Sequence, residues 1–138
     1  MFHLTIVTPE DTVYERDVKM IVVPGQSGQF GILQNHRPVI SKLTMGGVKI
    51  TQENDSEEMF FLSGGYLEFR DNKATILADL VENIEAIALE KATEARKNAE
   101  ELLKTAKDDV TREKILYELR LQTMKEKLAN LREYRKQR

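Results

Sequence analysis

The chain contains no cysteine. That absence excludes disulfides, thiol nucleophiles and thiolate metal centres, and it suits a reducing compartment. Its apolar runs are only a few residues long, far short of the roughly 20 residues that span a bilayer. The opening MFHLTIVTPED lacks a charged segment followed by a long apolar one, so no signal peptide is expected. Histidine occurs only at His3 and His36. Neither belongs to a His-x-x-x-His or comparable spacing, so no metal site is expected. No nucleophile–base pair stands out, so no catalytic residues are expected either. A net charge of −2, from 21 basic and 23 acidic residues, gives no general case for nucleic-acid binding. There is no internal repeat.

Glycine and proline are missing from one half only. All seven glycines lie at or before Gly65 and all three prolines at or before Pro38. Both residues punctuate turns and weaken helix interiors. The first half is therefore turn-rich, and the tail is free to be helical. The 138 residues suffice for one ordinary domain or two small ones.

The first half reads as short strands. Phe2, Leu4 and Ile6 alternate with His3, Thr5 and Val7. Further strands are expected at residues 13–14, 18–23, 32–33, 39–43, 47–51, 59–62, 66–70 and 73–77. Turn residues separate them, among them Pro24-Gly25, Met45-Gly46-Gly47, Ser63-Gly64-Gly65 and Asp71-Asn72. Many short strands at this spacing indicate an all-β sandwich or flattened barrel. Met59-Phe60-Phe61-Leu62 is apolar on both faces, as suits a buried strand. Ser63-Gly64-Gly65 lacks the G-x-S-x-G pattern of a nucleophile turn and reads as a tight hairpin turn.

From about Ile84 the period changes to that of a helix. Ala88, Ala92, Ala95, Ala99, Leu102 and Ala106 form one stripe; Tyr117, Leu121, Met124, Leu128 and Leu131 form a second. Between them Lys107-Asp108-Asp109 breaks the pattern. Two helices with a short connection make an antiparallel hairpin. Either Asp108 or Asp109 suits the N-cap of the second helix. The expected organisation is a β-sandwich over residues 1–84 and a helical hairpin over 85–138. Charge divides similarly: −6 over residues 1–86 and +4 over 87–138. Opposite signs suggest mutual docking or different partners.

One stretch looks like a site: SGQFGILQNHRP, residues 27–38. Its glycines match neither a Rossmann nor a Walker pattern, and strands rather than a helix follow it, so phosphate cradling is not expected. A shaped surface loop is the better reading.

That stretch also carries a family resemblance. Ser27-Gly28-Gln29-Phe30-Gly31-Ile32-Leu33, with Asn35-His36 and Pro38, resembles the epsilon-subunit family of F-type ATP synthases. So do Leu4-Thr5-Ile6-Val7-Thr8-Pro9 with Val13-Tyr14, Ser63-Gly64-Gly65-Tyr66-Leu67-Glu68, and Ala74-Thr75-Ile76-Leu77-Ala78. The resemblance extends along the whole chain, in the helices mainly as pattern. It implies a non-catalytic central-stalk subunit, with no cofactor, peripheral to the cytoplasmic face of a bacterial plasma membrane through its complex. Implied partners are the gamma subunit, the c-ring and, when the helices extend, the catalytic alpha/beta head, where they would brake ATP hydrolysis.

The resemblance makes Gln29, Phe30 and His36 candidate c-ring contacts. Arg132, Arg135, Lys136 and Arg138 are candidate contacts of an inhibitory tail. The alternative function is an ATP-sensing module in the same complex. Relatives that bind ATP carry a pattern like I-D-x-x-R-A, matched here by Ile87-Ala88-Leu89-Glu90-Lys91-Ala92. Ala88 offers no acceptor, and Lys91 lacks the planar fork of arginine. The motif is degenerate at both positions, which argues against ATP as a regulatory ligand.

Overall fold

The computed structural model describes residues 1–136. The chain divides into two compact units, Met1–Asn83 and Ile84–Arg138.

The first unit holds ten strands: β1 (Phe2–Val7), β2 (Thr12–Val18), β3 (Met20–Gly25), β4 (Gly28–Leu33), β5 (Val39–Leu43), β6 (Gly46–Thr51), β7 (Glu57–Leu62), β8 (Gly65–Arg70), β9 (Lys73–Leu77) and β10 (Val81–Asn83). Their order is β10-β7-β6-β3-β5-β8-β9-β1-β2, with β4 paired to β3. Strands β1 and β9 run parallel. A single pairing, Gly25 with Leu43, joins β3 to β5. The sheet folds at that narrow link, and its two halves face each other as a sandwich. Alternate residues point inward. Leu4, Ile6, Ile21, Val23, Val48, Ile50, Leu62, Leu67 and Ile76 are all fully buried in one cluster. Full burial of such a side chain is worth about 1.5–3 kcal/mol.

Residues 18–23 are not one strand. The chain turns at Lys19, whose N–H donates to Thr51 O (2.8 Å) and whose Nζ pairs with Asp55 (2.7 Å). Val18 ends β2, and Met20 opens β3 in the other half of the sheet.

Nor is Ser63-Gly64-Gly65 a hairpin turn, because β7 and β8 are not neighbours. It is a corner where the chain crosses between sheet positions. The Ser63 backbone N–H donates to Leu80 O, and its hydroxyl accepts from Leu80 N–H, both at 3.1 Å. Phe60, Phe61 and Leu62 are all buried, as an apolar strand requires.

The second unit opens with a 3-10 turn, Ile84–Ala86, followed by α1 (Leu89–Thr105) and α2 (Asp109–Lys136). Asp108 is the N-cap of α2: its carboxylate accepts from Thr111 N–H at 3.0 Å. Hydrogen bonds from Thr111 hold that carboxyl below its ordinary pKa. The helices pair through Ala92 and Ala99 on α1 and Leu121, Leu128 and Ala129 on α2, all buried. Small side chains allow close approach. Arg96 bridges the two helices, reaching Glu126 at 2.8 Å and Glu100 at 2.7 Å.

The buried stripes differ from the expected ones at several positions. Ala88, just before α1, and Leu102 on it are exposed, and Leu103 lies half-buried instead. On α2, Tyr117 and Leu131 face outward, while Ala129 and Arg132 are buried. Apolar residues occur on both sides of α2, so step-counting alone did not single out the inner face.

Candidate functional site

The 27–38 stretch begins at a hairpin. Strands β3 and β4 meet at Gly25 and Gly28, and Gly28 adopts φ +126°. Phe30 lies across Gly25, where a Cβ would sit 2.7 Å from its ring. Gln29 beside it is exposed. β4 then runs to Leu33, and a turn follows in which His36 N–H donates to Leu33 O at 3.1 Å. Asn35 takes a left-handed φ of 65°. It is locked to Asn72 by two bonds: Asn35 N–H to Asn72 Oδ1 (2.7 Å) and Asn72 Nδ2 to Asn35 Oδ1 (3.0 Å). His36 Nδ1 donates to Arg37 O (2.7 Å), and its ring stands edge-on to Phe69 at 5.8 Å.

The structure spaces the three candidate contacts along and beyond one strand. Gln29 and Phe30 sit at the start of β4 and His36 beyond its end. The four residue steps from Gln29 to Leu33 already span about 13 Å of strand. Gln29 is placed for contact. Phe30 and His36 are half-buried and already shape the ends of the strand.

A second surface was not anticipated. Ile40, Tyr66 and Leu77 are large apolar residues, 78%, 55% and 54% exposed. They lie on the outer face of three adjacent strands. Lys42, Tyr66 and Leu77 form one cross-strand row, and Ile40, Glu68 and Thr75 form the next. Val7 continues the first row on β1. The inner face beneath is core, with Leu67 and Ile76 fully buried. Three large apolar side chains thus stand outward on adjacent strands, interleaved with Lys42, Glu68 and Thr75. Its sequence signal was alternation within β5, β8 and β9, but the outward apolar residues were indistinguishable from inward ones.

At the β1–β2 edge, His3 bridges two carboxylates, Glu15 at 2.9 Å and Asp17 at 2.8 Å. Hydrogen bonds that the protonated ring donates to Glu15 and then Asp17 raise its pKa above the ordinary 6.5. A raised folded pKa means the clamp contributes fully below 6.5 and fades as pH rises through the higher value. The expected NMR titration of the His3 ring has its midpoint above 6.5, returning toward it in Glu15→Gln/Asp17→Asn. An unshifted wild-type midpoint contradicts the clamp.

The tail residues are not equivalent. Arg135 and Lys136 are exposed, with Lys136 Nζ 3.4 Å from Glu85. Arg132 is only 8% exposed. It was expected as a surface contact, but in this conformation its guanidinium is turned inward. Arg138 lies outside the described residues. Ile87 is buried and Lys91 exposed. Among the described residues no three His, Asp or Glu side chains converge as a metal site, and no helix is long and apolar enough to cross a membrane.

Residues 1–84 match the family model of the ATP synthase delta/epsilon chain β-sandwich domain. An ATP synthase epsilon chain of Delftia acidovorans is 35% identical over 136 residues, 99% of this chain and 97% of that one. The chain belongs to the ATP synthase epsilon-chain family. Another member, from Priestia megaterium, is 43% identical over 107 residues, covering 78% of this chain and 79% of its own. The epsilon-family fold also appears among solved structures. A chain of the Euglena gracilis mitochondrial ATP synthase superposes with a TM-score of 0.77 at 20% identity, covering 87% of this chain and 76% of that one.

Proposed function

We propose that this epsilon-family chain is a non-catalytic central-stalk subunit of an F-type ATP synthase. It joins gamma to the c-ring through its sandwich, and its helical hairpin restrains ATP hydrolysis by the alpha/beta head. It lies peripherally on the cytoplasmic side of a bacterial plasma membrane. The observation that carries this reading is the group Ile40, Tyr66 and Leu77: large apolar side chains turned outward on three adjacent strands suit attachment to another protein. We assign it to gamma and the exposed β3–β4 hairpin end at Gln29 to the c-ring. The exposed basic residues Arg135 and Lys136 suit an acidic surface on the head, a contact that weakens with added salt.

No observation favours the ATP-sensing alternative. The pattern at Ile87 has Ala88 at its acidic position, and the Ile87 carbonyl already accepts from Arg132 at 2.7 Å.

The test is reconstitution of the catalytic head and gamma with the full chain or with residues 1–83. The sandwich core cluster draws only on residues between Phe2 and Ala78, so the shorter form is expected to stay folded and to bind gamma. Hydrolysis is expected to be several-fold faster with it than with the full chain. Equal rates would show that the hairpin is no brake.

A further inference from the structure

Arg132 stands near the end of a helix, where a charged side chain ordinarily reaches water. Here it does not. One guanidinium nitrogen donates to two backbone carbonyls, Ile84 O at 2.5 Å and Ile87 O at 2.7 Å. Its Nε and second terminal nitrogen face Glu133, each at 3.1 Å. The acceptors belong to the 3-10 turn and the residue just after it, immediately before α1. One helical turn further along α2, Lys136 approaches Glu85 of the same turn.

The helix lengths explain the reach. With 17 residues in α1 and 28 in α2, the helices are about 25 and 42 Å long at 1.5 Å per residue. The last part of α2 therefore runs past the start of α1 and lies beside residues 84–87. A buried arginine is tolerated only while its donors are satisfied. The Glu133 contacts lie within α2, but the two carbonyls accept from Arg132 only while α2 lies along the joint.

We propose that Arg132 is a latch: it fastens the distal end of α2 to the joint at residues 84–87, and its withdrawal is the step that frees α2 from the folded hairpin. This rests on the reading of the hairpin as a regulatory element. It adds that Arg132 cannot serve the folded hairpin and an outside partner at once, so exposure of its guanidinium and release of α2 are one event.

Hydrogen exchange of the full chain tests it, comparing wild type with Arg132→Met and Arg132→Lys. Methionine keeps much of the apolar volume and removes every donor; lysine keeps the charge and can reach one carbonyl. In Arg132→Met, amides of residues 84–92 and 121–136 are expected to exchange about tenfold faster, a change typical of losing charged hydrogen bonds. Sandwich amides should not change, and Arg132→Lys should fall between. Exchange like wild type in Arg132→Met overturns the latch. So does equal acceleration throughout the sandwich, which would mean general destabilisation. Head-bound hydrolysis measured on the same variants separates the two readings. Faster exchange with unaltered hydrolysis supports the latch and counts against the brake.

Discussion

Gly65→Ala is expected to destabilise the sandwich more than any other single methyl added to it. A Cβ at this position would lie 1.9 Å from the Leu77 carbonyl oxygen and 3.0 Å from its carbon. Both are backbone atoms of the neighbouring strand β9, so no rotamer change relieves the clash. Gly65 also faces Leu43 on β5 and has a φ of +156°. Three strands would have to move apart at a corner held by the Ser63–Leu80 pair. We expect a loss of at least about 3 kcal/mol, seen as a fall in Tm of more than about 10 °C. Gly28→Ala makes the comparison. It also has positive φ, but its added Cβ meets nothing within 4 Å, so only the backbone penalty of about 1–2 kcal/mol applies. Equal effects of the two substitutions would mean that the close approach to Leu77 is not what demands glycine.

The second large effect concerns association. Ile40→Asp together with Tyr66→Asp should leave the fold intact, because both side chains point to solvent from strands whose inner faces are undisturbed. Placed in an interface, each carboxylate loses its hydration and replaces an apolar contact. A drop in affinity for gamma of about a hundredfold is expected, which corresponds to about 3 kcal/mol. Titration of gamma against the variant, with circular dichroism to confirm folding, measures it. Binding unchanged by the pair would move the interface elsewhere on the sandwich. Gln29→Ala, at the hairpin end assigned to the c-ring, should by contrast leave gamma affinity alone.

Much of the fold was legible from residue types that act locally. The absence of glycine and proline after Gly65 left the tail free to form its two helices, although β8, β9 and β10 still precede them. Asp108 and Asp109 announced a cap because a short carboxylate before a helical run has one favourable use; the structure gives it to Asp108. The continuous apolar strand at residues 59–62 was recognisable because burial on both faces leaves no polar alternation.

Errors arose where the outcome depended on distant partners. Ser63-Gly64-Gly65 looks like a hairpin turn in isolation. Only the pairing of β8 with β5 and β9 shows it to be a corner. The spacing of the candidate trio was illegible for a related reason. Gln29, Phe30 and His36 are close in sequence, but an extended strand carries them apart while the Asn35–Asn72 pair anchors its far end.

The sequence alone determined the two-part plan, the hairpin connection and the family motifs, because each depends on local periodicity or residue chemistry. Tertiary structure decided which apolar residues turn outward, as at Ile40, Tyr66 and Leu77, and which charge turns inward, as at Arg132. Alternation shows that a strand or helix has two faces. Which one is dry follows only from what the fold lays against it. For Arg132 that was a pair of backbone carbonyls 45 and 48 residues earlier in the chain.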